Sequence, residues 1–389
     1  MKPLRILHII PVMGLGGAEK MLGDICFEMH RRGHIVKLVT LHKPHYSFDK
    51  YPSREALVST TALEQVSMTT AMKPLELGIR VQSSEFERVL NDFRPDIIHS
   101  HLFQSELLAH SVHYPQAAYF THVHDNMFQL ESLFRASRQK RRLSDFFERA
   151  WLMRQYIRFD NHFIAISKDT LDFTLRVLPY ALQKNVSLLR NAFNYHAFSH
   201  EVKRSIQDRK TLRIVSVGNL VPKKNHKLLV EVCSVLHKKG IPFQCDILGF
   251  GALQQEIQKQ IEQAGLQDHV FLRGSVPDVA SYLRKADIYV HPASYEPFGL
   301  VILEAMAAGL PVICRNGRGN LDIHEEDKTG YLIDGDDAEA FAGRIIFLMQ
   351  HPDKYARISE YNKTYSRQFD IAHYCDRLTE IYLNAGQNK

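Results

Sequence analysis

The sequence predicts an α/β protein with two doubly wound domains, each built around a parallel sheet. The chain has 389 residues, of which 45% are hydrophobic and 24% charged, so it is long enough and apolar enough for two buried cores. Short apolar runs alternate with amphipathic helical segments from the start of the chain. After the polar stretch 191–209 the same alternation begins again, which places a domain boundary there.

The first half opens with a βαβ unit. The run 5–12 predicts a buried strand, a glycine-rich turn and an amphipathic helix follow, and 35–41 predicts a second strand parallel to the first. Further strands are predicted from Asp96, Ala118 and His162, and each of these runs ends in polar residues. Because the carboxyl ends of parallel strands meet at one edge of a sheet, we expect these polar residues to face a shared crevice.

The second half repeats the alternation of strands and helices. The predicted strands are 213–220, 244–248, 270–273, 288–291 and 312–314. The predicted helices are 253–264, 279–285 and 299–308, followed by a helical stretch over 338–383 that is broken at 351–352. We place the first domain at 1–195 and the second at 205–365, and we expect a C-terminal helix over about 370–389 to pack on the first domain.

Charge and cysteine usage narrow the class of protein. The net charge of +6 fits anionic small molecules or an anionic membrane surface, and we expect no nucleic-acid partner. The five cysteines have no CxxC or Cys/His ligand spacing, which predicts free thiols in a reducing, cytoplasmic compartment. The first apolar run is too short for an export signal, and no run reaches the roughly 18 apolar residues of a transmembrane helix, so membrane contact is expected to be peripheral.

A glycine-rich turn joins the first strand to the first helix. Gly16 and Gly17 are expected to let the backbone approach a phosphate or a sugar, with helix N–H groups facing the anion. The spacing differs from the GxGxxG dinucleotide fingerprint, and no acidic residue ends the next strand at 39–42. A tight turn that serves only the fold is the alternative interpretation.

The strongest candidate site is a helix in the second half. Pro297 suits its first position, Gly309 suits its C-terminal cap, and Pro311 prevents its continuation. Glu296 lies just before this helix and Glu304 about two turns inside it. A carboxylate in an apolar helix between buried strands is costly unless it accepts hydrogen bonds, and sugar hydroxyls are suitable donors. The alternative is a solvent-facing Glu304 beside a core stripe.

The pattern Glu296–x7–Glu304 on this helix resembles the signature of the family-4 retaining glycosyltransferases, which have the GT-B fold. The resemblance covers nearly the whole chain, because eight segments follow the order of the family: 16–19 (GGAE), 96–101 (DIIHSH), 121–125 (THVHD), 165–167 (AIS), 217–225 (VGNLVPKKN), 249–251 (GFG), 296–304 (EPFGLVILE) and 329–331 (TGY). It implies two Rossmann-like domains whose parallel sheets face each other across a cleft. It also implies transfer of a hexose or related sugar from a nucleotide-diphosphate sugar to a glycan or lipid-linked acceptor, without a resident cofactor.

The resemblance implies roles for the residues that match the family. Lys224 neutralises the donor diphosphate, a task for which a flexible ammonium group is well suited. Glu304 holds the nucleotide ribose, and Glu296 and His124 lie near the transferred sugar. The predicted catalytic residues are therefore His124, Lys224 and Glu296. The other predicted donor-binding residues, besides Glu304, are Gly16, Gly17, Asn219, Arg273, Phe298, Gly299 and Leu300.

One departure from the family concerns the charge on the diphosphate. The family usually has an arginine where this sequence has Asn219, so one cation is missing. Lys223, Arg273 and Arg318 are the candidates to replace it. The last of these belongs to the loop 316–322, which resembles the family's loop near the donor; a surface turn is the alternative.

Four histidines lie at the ends of two strands that are predicted to be neighbours: His99, His101, His122 and His124. His122 and His124 point to one face of their strand, and one of these two rings is expected to face a ligand while the other supports it. A zinc site is the alternative, but the spacing matches no common zinc pattern. A lysine and helix N–H groups can stabilise a diphosphate without a metal, so we expect none.

The segment 131–158 interleaves basic and apolar residues. Such a helix can lie on an anionic membrane, which would suit a lipid-linked acceptor. A solvated helix whose apolar face joins the core is the equally supported alternative.

Two other functions remain open at this stage. A sugar-nucleotide epimerase of the same fold is one, although the Glu296–x7–Glu304 pattern argues against it. A catalytically inactive nucleotide-sugar binding protein is the other, and Asn219 makes it conceivable. By analogy with similar enzymes, we expect a role in bacterial surface polysaccharide or lipopolysaccharide synthesis at the inner face of the cytoplasmic membrane.

Overall fold

The computed structural model describes residues 2–14, 16–42, 59–63, 67–73, 76–82, 84–131, 143–199, 201, 205–207 and 209–387. The chain divides into two compact units, one formed by 1–191 with 371–389 and the other by 192–370. Each unit has its own sheet and its own core.

The first unit contains a seven-stranded parallel sheet and a separate hairpin. Its strands are β1 (Arg5–Ile10), β2 (Ile35–Thr40), β3 (Ser59–Ala62), β4 (Ser67–Lys73), β5 (Glu76–Gln82), β6 (Ile97–His101), β7 (Ala118–Val123), β8 (His162–Ala165) and β9 (Val186–Leu188). The sheet has the order β3-β2-β1-β6-β7-β8-β9, and β4 pairs with β5 antiparallel. The central strands are nearly continuous apolar runs because helices cover both faces of the sheet.

Six helices of the first unit connect these strands: α1 (Gly17–Arg31), α2 (Ser84–Phe93), α3 (Phe103–Ala109), α4 (Leu143–Arg158), α5 (Lys168–Val177) and α6 (Tyr180–Gln183). The α5 helix begins with a reciprocal cap in which Ser167 accepts from the N–H of Thr170 and the side chain of Thr170 accepts from the N–H of Ser167. The order of strands reverses between β1 and β6, and such a point in a doubly wound sheet is where ligands bind.

The second unit contains a six-stranded parallel sheet. Its strands are β10 (Leu212–Val217), β11 (Phe243–Leu248), β12 (Val270–Gly274), β13 (Ile288–His291), β14 (Val312–Arg315) and β15 (Gly330–Ile333), in the order β12-β11-β10-β13-β14-β15. Its helices are α7 (Tyr195–Phe198), α8 (His226–Lys238), α9 (Gln254–Gln263), α10 (Val279–Lys285), α11 (Leu300–Ala307), α12 (Ala338–Gln350) and α13 (Pro352–Ser366). Here the order reverses between β10 and β13.

The C-terminal helix α14 (Ile371–Gln387) belongs to the first unit. Arg32 at the end of α1 forms an ion pair with Asp376 and donates to the carbonyl of Ala372 at 2.5 Å. Tyr382 lies within 2.6 Å of the Nδ1 atom of His99 in β6. The chain therefore ends on the sheet with which it begins.

The two units meet in sequence at 191–192, four residues before the predicted domain end at 195. Backbone and side-chain hydrogen bonds explain the difference: the N–H of Phe193 donates to the carbonyl of Phe369, and the N–H of Tyr195 donates to Asp370. The residues after 191 are thereby tied to the second unit. Among the described helices, none has both the length and the apolar character that a bilayer crossing requires.

Candidate active site

The central pair of the site in the second unit is Lys224 and Glu296. Lys224 ends a 3₁₀ turn, Pro222–Lys224, that follows β10, and Glu296 follows β13, so both lie at the carboxyl edge where the order of strands reverses. The Nζ atom of Lys224 is 2.5 Å from Oε2 of Glu296, although the two residues are 72 positions apart. The N–H of Ser294 donates to the carbonyl of Lys223, which holds the turn against the loop after β13.

Two further side chains complete a buried network of Lys224, Glu296, His291 and Tyr289. The Nε2 atom of His291 is 2.8 Å from Oε2 of Glu296, and its Nδ1 atom is 3.2 Å from the hydroxyl of Tyr289. Burial lowers the pKa of His291, so the ring is neutral and donates from Nε2 to the carboxylate. Burial alone would raise the pKa of Glu296, but Lys224 and His291 together hold it well below its usual range.

Sequence reasoning did not identify His291 or Tyr289. The sequence did contain an indication of His291, because this polar residue ends an apolar strand, as His101 does in the first unit. Their partnership with Glu296 depends on how the loop after β13 folds back, which no local pattern specifies. The result is a fixed carboxylate with a lysine on one side and a neutral histidine on the other.

The helix α11 differs from its predicted form at the N-terminus. It begins at Leu300 with Gly299 as its N-cap, so Pro297 does not occupy its first position. Gly299 has a φ of 107°, and a side chain there would place Cβ 2.8 Å from Ile302. The sharp turn at Gly299 delays the helix. The N–H groups of Ile302 and Leu303 donate to the carbonyl of Gly299, so only the N–H groups before Ile302 lack helical acceptors.

The predicted donor-binding residues on α11 and just before it differ in what they can offer a ligand. Glu304 is only 4% exposed, so the solvent-facing alternative is wrong; it lies one turn into the helix, not two. Phe298 is buried in the core with its ring 6.0 Å from that of Phe369, which leaves only its backbone for a ligand. Whether these residues bind a donor stays a prediction.

Asn219 and Arg273 occupy different places in the sheet of the second unit. Asn219 is exposed just after β10. Arg273 lies near the end of β12, two strands and therefore about 10 Å from β10. Its Nε atom donates to Asp246 at 2.6 Å and its guanidinium lies over the ring of Phe271. Arg273 is thus already engaged within its own edge of the sheet.

The glycine turn belongs to the first unit. Gly16 is the N-cap of α1 and Gly17 its first residue. The carboxylate of Glu19 lies against Gly16, where a Cβ atom would come within 2.3 Å of Oε2. Burial raises the pKa of Glu19. An anion that approaches this turn would therefore meet an acidic group as well as backbone N–H groups.

The predicted histidines of the first unit form a buried cluster, to which β1 adds His8. The Nδ1 atom of His8 is 3.0 Å from Nε2 of His101, and Nδ1 of His101 is 2.9 Å from Nε2 of His124. Burial lowers the pKa values of His8 and His124 to about 3, so these rings are neutral. His8 was missed because a histidine within an apolar strand is typical of a core position; its register opposite His99 is a property of the sheet.

Ring orientation in the group of His101, His122 and His124 does not suit a metal ion. Nitrogen atoms of His101, His122 and His124 lie within 4.8 Å of one another. However, the rings of His122 and His124 are stacked, with centroids 4.0 Å apart and planes 5° apart. Because imidazole lone pairs lie in the ring plane, two parallel stacked rings cannot both point at one ion. The described geometry therefore favours a hydrogen-bonded chain.

The fold is that of a two-domain α/β protein of the GT-B class. Residues 15–212 match the family described as Glycosyltransferase Family 4, and residues 199–365 match Glycosyl transferases group 1. The first match covers more than half of the chain, so the chain belongs to glycosyltransferase family 4. The predicted family is confirmed.

Known proteins support the same assignment. The chain is 33% identical over 147 residues to the putative colanic acid biosynthesis glycosyltransferase WcaL of Escherichia coli, a match that covers 36% of each chain. It is 24% identical over 222 residues to an Escherichia coli UDP-Gal:alpha-D-GlcNAc-diphosphoundecaprenol alpha-1,3-galactosyltransferase, covering 54% of this chain and 57% of that one. The matched stretch thus spans about a third of the first of these relatives and over half of the second.

A solved structure shows the fold of the whole chain. The structure of Anabaena Alr3699/HepE in complex with UDP and glucose superposes with a TM-score of 0.76, covers 97% of this chain and 98% of its own, and is 18% identical. This similarity confirms the predicted GT-B fold class with its two Rossmann-like parallel-sheet domains.

Proposed function

We propose that the protein is a retaining glycosyltransferase that moves a hexose or related sugar from a nucleotide-diphosphate sugar to a glycan or lipid-linked acceptor. The observation that carries this proposal is the partly buried pair of Lys224 and Glu296 at the carboxyl ends of β10 and β13, beside the start of α11. At this edge of the sheet, the lysine and the helix N-terminus can bind the diphosphate of such a donor, and the carboxylate can lie beside its sugar.

In this mechanism the diphosphate is the leaving group. Its departing charge is stabilised by the Nζ atom of Lys224 and by N–H groups at the start of α11. Glu296 remains ionised, since its pKa is held low, and a carboxylate beside the sugar stabilises positive charge that develops at the anomeric carbon. The acceptor oxygen bonds to the anomeric carbon on the face from which the phosphate oxygen leaves. The proton of the acceptor hydroxyl passes to the departing phosphate oxygen.

The relatives support the substrate class. The galactosyltransferase of Escherichia coli is named for a UDP-sugar donor and a diphosphoundecaprenol-linked acceptor, and the HepE structure holds UDP and glucose. WcaL is named for colanic acid biosynthesis. We therefore propose a nucleotide-diphosphate sugar as co-substrate and a role in bacterial surface polysaccharide synthesis.

A screen of thermal stability against UDP-, GDP- and ADP-sugars without added metal tests this function. A donor present at about 100 times its Kd stabilises the native state by about 2.7 kcal/mol, so the correct sugar should raise Tm clearly. Glu304→Ala should remove that rise, because the proposal assigns the ribose contact to this buried carboxylate. The function is wrong if no donor raises Tm even with divalent metal present.

The retaining stereochemistry and the absence of a metal requirement are tested by following the reaction. The anomeric configuration of the product, read by NMR, should equal that of the donor. Turnover should be unchanged in EDTA, because we propose no metal and no cofactor. An inverted product would exclude the retaining mechanism without excluding glycosyl transfer.

We also propose peripheral membrane contact through the described part of 131–158. In α4, Leu152 and Tyr156 are buried in the core, whereas Arg154 and Arg158 are exposed together with Phe146 and Ile157. Leu152 and Tyr156 thus follow the alternative in which the apolar face joins the core, whereas Phe146 and Ile157 leave apolar surface beside the exposed arginines. The basic residues of 132–142, Arg135, Arg138, Lys140, Arg141 and Arg142, lie outside the described residues. A membrane at this face would bring the enzyme to a lipid-linked acceptor on the cytoplasmic side.

Charge reversal tests the membrane contact. Arg154→Glu with Arg158→Glu should weaken binding to vesicles that contain phosphatidylglycerol by about tenfold or more, since each basic residue near an anionic surface contributes about 1 kcal/mol. Lys238→Glu with Lys259→Glu, two exposed changes in the second unit, form the matched control. Equal binding by both double variants in a sedimentation assay would end the idea.

A further inference from the structure

Arg318 adopts a backbone conformation that disfavours a side chain. Its φ is 73° and its ψ is −73°, and the N–H of Gly319 donates to the carbonyl of Gly317 at 3.1 Å, which closes a three-residue γ-turn. This form of the γ-turn is rare and strained for residues other than glycine. Strain of this kind persists where the surrounding structure imposes it, often at functional sites.

The surroundings of this turn impose it. The N–H of Glu296 donates to the carbonyl of Gly317 at 2.9 Å, and Glu296 and Arg318 form a backbone bridge. A Cβ atom at Gly319 would lie 1.9 Å from the carbonyl oxygen of Pro297. Glycine is therefore required at 319, and a Cβ atom at Gly317 would lie only 3.0 Å from Glu296, so the loop packs tightly on the segment that carries Glu296. The arginine is held between them, exposed and beside the site.

The Lys224–Glu296 pair does not by itself neutralise a bound diphosphate, so a second cation is needed. Lys224 is already paired with Glu296, so the described network of these two residues is electrically balanced, whereas a nucleoside diphosphate carries at least two negative charges. Asn219 is neutral, and Arg273 is bonded to Asp246 two strands from β10. Lys223, the third candidate, holds its ammonium over the ring of Tyr295, 5.7 Å from the ring centroid. An exposed arginine beside Glu296 supplies a planar, permanently charged donor that suits phosphate oxygens.

We infer that Arg318 binds the diphosphate of the donor and supplies the positive charge that position 219 lacks. The strained turn is maintained because it holds the backbone of Arg318 against that of Glu296, so that its exposed side chain starts at the edge of the site. The inference rests on the proposed function, since it assigns a residue to the donor that the protein is proposed to use.

The experiment compares stability and donor affinity in Arg318→Gly. Glycine relieves the turn, so Tm should rise, while Kd for the nucleoside diphosphate of the preferred donor should increase by about ten- to a hundredfold through loss of a charged hydrogen bond. Arg94→Gly is the matched control, because Arg94 is also an exposed arginine with positive φ, in the first unit. It should leave donor affinity unchanged. Arg318→Lys should recover part of the affinity.

A rescue experiment tests whether charge is the reason. Asn219→Arg in the Arg318→Gly background should restore most of the affinity for the diphosphate by isothermal titration calorimetry. Unchanged affinity in Arg318→Gly, with the wild type binding normally, would overturn the inference and leave the proposed function standing. Failure of the wild type to bind any donor would instead refute the proposed function, so the two failures are distinguishable.

Discussion

Lys224→Met should lower kcat by about 10²- to 10³-fold, the effect that loss of one group stabilising a developing negative charge has in other enzymes. Methionine keeps most of the apolar stem of the lysine and removes the ammonium that faces Glu296 at 2.5 Å. The leaving diphosphate would then depart without its nearest cation. Steady-state kinetics with the donor identified by the thermal screen measures this loss.

The second unit offers a matched control for this change. Lys227 forms an ion pair of the same length, 2.5 Å, with Glu256, but both side chains are well exposed. Lys227→Met should leave kcat within twofold of the wild type, because its ammonium pairs with Glu256 and not with Glu296, and exposed pairs contribute little. A Lys224→Met protein with full activity would show that Lys224 has no part in the reaction.

Removal of Lys224 also has an electrostatic signature that does not depend on turnover. Burial is the largest influence on the pKa of His291 and lowers it; Glu296 raises it, and Lys224 lowers it further. Without the ammonium, the carboxylate acts on the imidazole unopposed, so the pKa of His291 should rise. An NMR titration of His291 in Lys224→Met would show whether the two residues interact in solution as they do in the structure.

The sheet edges illustrate how far the sequence alone predicts this structure. The apolar runs ending at His101 and His291 are buried strands as expected, because nearly continuous apolar segments suit a sheet covered on both faces. Five of the described strands were not predicted: β3, β4, β5, β9 and β15. In β3 and β9, four and three residues of mixed polarity give no reliable period, and β15 has only four residues. A long apolar run predicts a buried central strand, whereas the pairing of a short edge strand depends on the strand beside it.

In the site, the sequence identified single residues but did not predict the contacts between them. The sequence pointed separately to Lys224 and Glu296, but their contact joins positions 72 apart and depends on two loops meeting. Pro297 was assigned to the first turn of α11 from its usual preference, and the left-handed turn at Gly299 overrides that preference. The strain at Arg318 is a property of φ and ψ, which no residue pattern reports.

The balance of charge in the buried network explains why its members are interdependent. Lys224 is 17% and Glu296 9% exposed in their side chains, so neither is well hydrated. Each group tolerates this only because the other is present. Donor binding therefore has to provide new partners for Lys224 without leaving Glu296 uncompensated, a role to which the neutral N–H donor of His291 is suited.

Glu296→Gln should destabilise the protein by about 2–3 kcal/mol and abolish most of the activity. The change leaves the ammonium of Lys224 largely buried beside a neutral amide, and an unpaired buried charge is costly. The sign of the pH dependence follows from the pKa of Glu296, which is held low in the folded protein. Its stabilising contribution is present above the pKa of an unfolded glutamate and is lost as the pH falls through the folded value. Urea unfolding of the wild type should therefore show this contribution at pH 7 and lose it in acid, while Glu296→Gln shows a flatter profile.

Combining Glu296→Gln with Lys224→Met separates pairing from packing. The double variant has no buried charge in the pair, and the glutamine oxygen can still accept from Nε2 of His291. It should therefore be more stable than either single variant, with a coupling energy of about 2 kcal/mol from chemical denaturation. Additive losses would mean that the two side chains do not interact in solution. Activity should stay low in all three variants, because the reaction needs both charges. Stability does not need them, provided that both are removed together.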